Sequence, residues 1–300
     1  MTADVRIYFG QPGSLTTLPH PKGGVRSTRL RPTVVFGTGG GGVRVGKITG
    51  GKRQYTLSWS GLDLDTFSTL LEFDQGHRGP GPFVLLDPGQ RNMLTVNQSS
   101  TTSETNDTDN FTVAGSGYSA TSESTVYRRG PRSFRVNIAY ASQSGTVTLD
   151  PPAADWPGIP VYASRPIVFS YWARGSGSDP IVTLTPKLTW YSTAGVSLST
   201  TSGTPTPTAS ASWTQMSVTD TPPASAAYVL CSVAASGGSI SASASLYFDQ
   251  FQLEEGAAAG TWRPGTGVMP VQIISVAEGW PFYHPELRDA PTMILQEAGP

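Results

Sequence analysis

The sequence predicts an all-β chain, mainly strands with one short helix, and three observations carry that prediction. Short runs with apolar residues at every second position recur along the chain, the period of a strand with one buried face. The 34 glycines and 25 prolines make up about a fifth of the 300 residues, which suits many strands joined by many turns. Only one stretch, "GLDLDTFSTLLEFDQGHRG", spaces its apolar residues as a helix does.

The elements follow in order. "VRIYF" (Val5–Phe9) opens as a strand, and "RPTVVFGTGGGGVRVGKITGGKRQYTLSWSG" reads as strands separated by glycine turns. In "RQYTLSWS", Tyr55, Leu57 and Trp59 share one face. Leu64, Phe67, Leu70 and Leu71 form the stripe of the helix, with Asp63 and Asp65 near its positive N-terminal end and Gly76 as its stop. "GPFVLLDPGQRN" is then a short buried strand ending in a turn. "NQSSTTSETNDTDN" (Asn97–Asn110) offers nothing apolar to bury and reads as a linker or loop. From Phe111 to Trp262 short strands recur at even spacing, among them "RSFRVNIAY", "RPIVFSYWARG", "IVTLTPKLTWYS", "AAYVLCSVAAS" and "ASLYFDQFQLE". Such spacing with Gly, Ser and Pro turns signals a β-sandwich or jelly roll. "MPVQIISVAEGWPF" and "RDAPTMILQEA" add two further strands.

Length allows two domains or one large β domain. Charged residues are 14% and the net charge is −1, so no electrostatic case exists for nucleic acid or an anionic membrane surface. No run approaches the ~20 apolar residues of a membrane span. "MTADVRIYFGQPG" lacks the charged head and apolar core of a signal peptide. The single cysteine, Cys231, excludes an internal disulfide and fits synthesis in a cytoplasm.

Several motifs invite chemistry. Gly37, Gly39 and Gly42 match GxGxxG after a strand, and Gly41, Gly46 and Lys47 match the first part of a phosphate-binding loop. Both need a following helix whose amides face phosphate, yet "VRVGKI" alternates as a strand and Ile48 stands where a Ser or Thr would hold magnesium. A glycine hairpin is the reading. His20, His77 and His284 are far apart and fall in no zinc-ligand spacing. Cys231 alternates with Val229 and Val233, as a buried small hydrophobe does. Glu254 and Glu255 are adjacent on a strand and point to opposite faces, so they cannot flank a glycosidic bond; capping and solvation are their expected roles. Asp249 reads either as one oxygen ligand of a structural calcium or as a turn cap, and no other cofactor is expected.

Aromatic residues of the second half say more. With Phe169, Tyr171 and Ala173 inward, Ser170, Trp172 and Arg174 point outward; Trp190 is core beside Leu188, which leaves Tyr191 outside. Trp172, Arg174 and Tyr191 on one outward face are a candidate glycan site, because a pyranose stacks its C–H bonds on an aromatic and offers hydroxyls to charged partners. Trp172 packed beneath a loop or a neighbouring subunit is the other reading.

"SFRVNIA", "IVFSYWARG", "LTWYSTAGVSLS", "SWTQMSVTDTPPASAAYVLCSV" and "LYFDQFQLEEGAAAGTWRPG", in that order, resemble the jelly-roll carbohydrate-binding modules of bacterial extracellular and bacteriophage tail proteins. "RQYTLSWSGLDLDTFSTLLEFDQGHRGPGPFVLLDPGQRN" resembles the strand–helix–strand segment of phage minor tail and distal tail proteins, and "VQIISVAEGWPFYHPELRDAPTMILQEAG" resembles its closing hairpin. The resemblance implies a split β-sandwich tail domain, residues 1–98 plus 264–300, with an inserted jelly-roll β-sandwich at 99–263. It implies a non-enzymatic virion protein near the tail tip or baseplate, assembled in the host cytoplasm. Its partners are then copies of itself in a ring-shaped homo-oligomer, a hexamer if the distal-tail likeness holds, together with tail-tube and tail-hub proteins and host cell-wall glycan. Neither nucleic acid nor membrane insertion is implied. "GTGGGG" and "QPGSLTTLPHPKGG" are expected to order against neighbouring subunits. The alternative is a secreted or cell-wall-associated bacterial glycan-binding protein, and a glycosidase is disfavoured for want of paired carboxylates.

Overall fold

A computed structural model describes residues 6–29, 33–37, 43–47, 52–89, 92–100, 108–139, 144–176, 181–208, 211–237, 244–277, 287–288 and 291–298. Along the chain, β1 (Arg6–Gln11), β2 (Ser14–Pro19), β3 (Arg26–Arg29), β4 (Thr33–Gly37), β5 (Val43–Lys47), β6 (Arg53–Ser58) and β7 (Leu62–Asp63) lead into α1 (Leu64–Asp74). Then come β8 (Phe83–Leu86), α2 (Val96–Ser100), β9 (Phe111–Ala114), β10 (Tyr118–Glu123), β11 (Ser133–Ile138), β12 (Ser144–Leu149) and β13 (Ile159–Pro160). The long strands β14 (Ile167–Gly175) and β15 (Val182–Tyr191) precede β16 (Ser197–Ser202), β17 (Thr206–Pro207), β18 (Thr214–Asp220), β19 (Tyr228–Gly237) and β20 (Ala244–Glu255). Last are β21 (Pro270–Ala277), β22 (Leu287–Arg288) and β23 (Thr292–Glu297). The protein is mainly β, and the described residues fall into two compact units.

Unit 1 comprises Met1–Gln11, Leu15–Asp87 and Met269–Pro300. Its seven-stranded sheet has the order β2-β1-β8-β21-β23-β6-β3, so strands from the end of the chain sit between strands from its beginning. Val271 lies opposite Phe83, and Leu295 opposite Tyr55. Helix α1 is capped by Asp63, whose side chain accepts from the Thr66 N–H at 2.8 Å and from its hydroxyl; the hydroxyl bond first, then the N–H, hold the carboxyl below its ordinary range. Phe67, Leu70 and Phe73 bury its inner face, and Phe73 meets the rings of Phe9 and Phe83 with centroids 5.0 and 5.3 Å apart. Leu64, expected in that stripe, is the first helical residue and stays 41% exposed; the stripe runs on to Phe73 instead. The segment around Ser14–Pro19, expected to be too polar to pack, is strand β2 with Leu18 fully buried. Strands β4 and β5 pair antiparallel on either side of the glycine run. Gly39, Gly41 and Gly42 lie outside the described residues, but the strand that follows them supplies no helix N-terminus for a phosphate.

Unit 2 comprises Pro12–Ser14 and Pro88–Val268. Two antiparallel sheets, β10-β11-β20-β14-β18 and β16-β15-β19-β12-β9, face each other as a β-sandwich, with β13 on β19 and β17 on β15. Phe111 of one sheet stacks on Phe134 of the other at 4.4 Å, and Phe169, Tyr171, Phe248 and Phe251 fill the centre. Trp190 is fully buried and donates from Nε1 to Asp220 at 3.1 Å.

The two ends of unit 2 are joined by hydrogen bonds. The N–H groups of Thr266, Gly267 and Val268 donate to the carbonyls of Asn92, Leu94 and Met93. This pairing explains why the unit extends beyond the expected 99 and 263. The start of the expected linker is not a loop: Val96–Ser100 is helical, with Gln98 and Ser99 buried. Thr95 and Gln98 form a capping box, the Gln98 N–H bonding the Thr95 hydroxyl and the Gln98 side chain accepting from the Thr95 N–H. Residues 101–107 of that linker, and His284, lie outside the described residues.

Candidate functional site

The outer face of the β10-β11-β20-β14-β18 sheet carries a groove whose form begins with a break in strand pairing. Ser170 of β14 lies opposite Gln252, but Trp172 lies opposite Asp249, so β20 holds an extra residue there. Gln250 takes up the irregularity at φ 56°, an uncommon conformation outside glycine. On the other side of β14, Trp172 is paired with Gln215 of β18. Trp172, Gln215 and Gln250 thus share the floor of the groove.

One wall is the turn between β10 and β11, which Asp249 fastens to the sheet. Asp249 Oδ2 accepts from the backbone N–H groups of Arg128 (2.8 Å) and Arg129 (2.9 Å), and Oδ1 from that of Gln250 (2.7 Å). The carboxyl is fully buried, and burial pushes its pKa up to about 6 against the pull of those three donors and the Arg128 charge. Held this way, Arg128 lays its guanidinium carbon 3.5 Å from the centre of the Trp172 ring, and Arg129 stands 4.9 Å from that of Trp262.

The other wall is the segment after β20. Glu254 is buried and accepts from Gln252 Nε2 at 2.6 Å and from the Gly260 N–H at 2.5 Å, while Gln252 Oε1 accepts from the Arg263 N–H at 2.9 Å. These bonds fold residues 256–263 back towards β20, and the outward positions Val168 and Ser170 of the neighbouring strand are buried. The returning segment presents Ala259, Gly260, Thr261 and Trp262 to the groove, whose volume is about 520 Å³. Trp262 is fixed by its Nε1, which donates to the carbonyls of Ser99 (3.2 Å) and Phe251 (3.3 Å).

Comparison with known proteins gives no family match: no family model matches the chain, and no curated protein matches its sequence. Among solved structures, the CBM22-1 xylan-binding domain from Paenibacillus barcinonensis Xyn10C is 13% identical, covering 52% of this chain and 92% of that one at a TM-score of 0.39. The tailspike protein 4 enzymatically active domain of bacteriophage CBA120 is 12% identical, covering 57% and 22% at 0.43. The arabinose-bound MgGH51 α-L-arabinofuranosidase is 20% identical, covering 60% and 28% at 0.43. The chain thus spans less than a third of the tailspike and arabinofuranosidase chains it matches.

The expected site residues separate. Trp172 is half-buried in the groove floor, packed under the Arg128 side chain. Arg174 lies on the same sheet but does not line the groove; it sits between Trp213 (5.9 Å) and Tyr247 (5.6 Å) and donates to the Gly175 carbonyl. Tyr191 belongs to β15, in the opposite sheet, so it cannot share an outward face with the other two. Of the two roles expected for Asp249, calcium ligand or turn cap, the hydrogen bonds are those of the cap. Both its oxygens are taken by backbone N–H groups, and no cluster of three or more His, Cys, Asp or Glu suited to a metal occurs among the described residues. Glu254 is a buried loop fastener, not a solvated cap, and Glu255 pairs with Arg165 at 3.7 Å. Cys231 is buried in β19, and burial pushes its thiol pKa up. Arg128, Arg129, Gln215 and Gln250 were not singled out from sequence; the adjacent arginines before a glycine in "VYRRG" are the one local sign of them.

Proposed function

We propose that the protein is a non-catalytic glycan-binding protein whose unit 2, a jelly-roll β-sandwich, takes sugar in the groove over Trp172. The observation that carries this reading is the convergence of two indoles, two guanidiniums and two side-chain amides around one volume of about 520 Å³. A pyranose asks for apolar surface along its C–H bonds and for directional donors and acceptors at its hydroxyls, and these side chains offer both. Among the described residues no carboxylate lines the groove, and Asp249 beneath it is occupied by three N–H donors, which supports binding without hydrolysis. Contributions of about 1–2 kcal/mol per stack or charged hydrogen bond place a single site of this kind in the millimolar to high-micromolar range.

Two settings are open to such a module. A secreted or wall-associated bacterial protein needs nothing more than the groove. A phage tail protein near the tip or baseplate would also assemble into a ring, where many weak sites act together; that setting rests on the tail-like segments Arg53–Asn92 and Val271–Gly299. Light scattering on the purified chain separates them, since a ring of copies supports the tail and a monomer supports the first setting.

The binding reading is tested by titrating the full chain with a panel of bacterial cell-wall and capsular glycans, followed by amide NMR shifts. Wild type should bind, while Trp172→Ala and the exposed Gln215→Ala should lose that binding with melting temperatures within a few degrees of wild type. A wild-type chain that ignores every glycan in the panel would make the groove a protein-docking surface instead.

A further inference from the structure

We infer that the groove selects an acidic saccharide, one carrying a carboxylate on its pyranose, over a neutral one; this rests on the glycan-binding reading above. The inference starts from the two arginines. Arg128 and Arg129 are exposed, and among the described residues neither guanidinium makes an ion pair or a hydrogen bond, only its ring contact. At 3.5 Å from the ring centre the Arg128 guanidinium can only lie face-on to the Trp172 indole, with its hydrogen-bonding edge in the plane of that face, and Arg129 stands beside it at 4.9 Å from the Trp262 ring centre. A stacked guanidinium therefore keeps its fork of N–H donors unspent while losing little further freedom when a ligand arrives.

The surroundings set the sign of the preferred ligand. Among the described residues, two cations and no anion line the groove. Asp249, the carboxylate below them, is fully buried and turned to the backbone amides of the turn, so its oxygens are not available to the arginine side-chain edges. Gln215 and Gln250 add neutral donors and acceptors that suit ring hydroxyls. A carboxylate fits two N–H groups of one guanidinium side by side, and the sugar that bears it brings the apolar face that an indole takes. A simple anion would use only the arginines, and a neutral glycan would leave their N–H donors without an anionic acceptor.

The test titrates the full chain with oligogalacturonate, oligoglucuronate and sialylated oligosaccharide, each beside its own neutral methyl ester, and with a phosphorylated sugar. At low salt at least one carboxylated ligand should bind about tenfold tighter than its methyl ester, and that preference should shrink at high salt. In Arg128→Gln combined with Arg129→Gln, both exposed substitutions, the ratio of acid to ester affinity should fall to about one, with both ligands held more weakly than by wild type. Equal affinity for acid and ester, or a preference that survives the double substitution, overturns the inference and leaves the glycan reading standing. Binding of the phosphorylated sugar alone overturns it in favour of phosphate recognition. No binding of any ligand, acid or ester, removes the glycan reading itself and the inference with it.

Discussion

Asn92 and Arg263 are 171 positions apart, and the side chain of the first donates to the backbone carbonyl of the second at 2.8 Å. The same amide nitrogen donates to the Phe251 carbonyl, while Asn92 Oδ1 accepts from the N–H groups of Leu94 and Leu253. One buried side chain thus meets its full hydrogen-bonding capacity by tying the incoming segment, the closing strand and the outgoing segment of unit 2 to one point. Chain ends held together at one end of a sandwich are what insertion of one domain into another requires.

Asn92→Ala therefore leaves two N–H groups and the Arg263 carbonyl without this partner at a site 1% exposed, while the Phe251 carbonyl keeps its bond from Trp262 Nε1. A loss of about 3 kcal/mol or more is expected in urea-induced unfolding of unit 2. A change below about 1 kcal/mol would mean that these segments find other partners and that Asn92 is not their clamp.

Gly265 makes the same junction steric. A Cβ there would stand 2.1 Å from the Leu94 carbonyl oxygen and 2.5 Å from that of Thr95, both backbone atoms that cannot swing aside. Gly265→Ala should destabilise by about 2–3 kcal/mol, although alanine is otherwise the mildest of replacements. Melting unchanged from wild type would contradict this close approach.

Asp249 predicts a pH dependence. Its carboxyl titrates near 6 when folded because burial disfavours the charge, against an ordinary value of 3.8. Between those values the folded chain holds a proton that the unfolded chain has lost, so this group's contribution to stability is full below about pH 4 and falls as pH rises through 6. The total is on the order of 3 kcal/mol. Subtracting the unfolding free energy of Asp249→Asn from that of wild type isolates the group; the difference should shift against wild type between pH 4 and pH 7. A difference that is flat or rises with pH would place the carboxyl at or below its ordinary range.

Much of the fold is legible in local pattern. Strict alternation in β15 put Leu188 and Trp190 inside, and the outward position of Trp172 follows from Phe169, Tyr171 and Ala173 as neighbours. The site is less legible because it is made by pairing at long range. Nothing near Arg128 announces that a carboxylate 121 positions later will hold its backbone. Gln250 is an unusual residue for positive φ, so the bulge that opens the groove leaves no glycine to betray it. Tyr191 and Trp172 both point outward, but which sheet owns each strand depends on β14 choosing β18 and β20 while β15 chooses β16 and β19. Thr95 and Gln98 did carry a readable capping signature, hidden by the lack of an apolar run after it.

Tyr171 offers a gain in stability. Its ring packs among Phe169, Phe248 and Phe251, and among the described residues its buried hydroxyl has no hydrogen-bond partner. Tyr171→Phe removes an unsatisfied polar atom and leaves the ring, so unit 2 should gain about 1 kcal/mol, or about 2–4 °C in melting temperature. A loss of stability would show that the hydroxyl is bonded after all.

The contact between Arg128 and Trp172 can be measured by itself. At 3.5 Å from guanidinium carbon to ring centre it is the tightest arginine–aromatic contact among the described residues, and it covers the indole that forms the groove floor. A double-mutant cycle with Arg128→Ala and Trp172→Ala should return a coupling of about 1 kcal/mol, above the few tenths at which independent sites merely add. The same cycle read in ligand affinity should also be non-additive, because once the indole is gone the guanidinium loses the surface that orients its donors. If the two substitutions add in both measurements, Arg128 does not rest on Trp172 in solution, and the pre-positioned donor edge on which acid selectivity depends is not there.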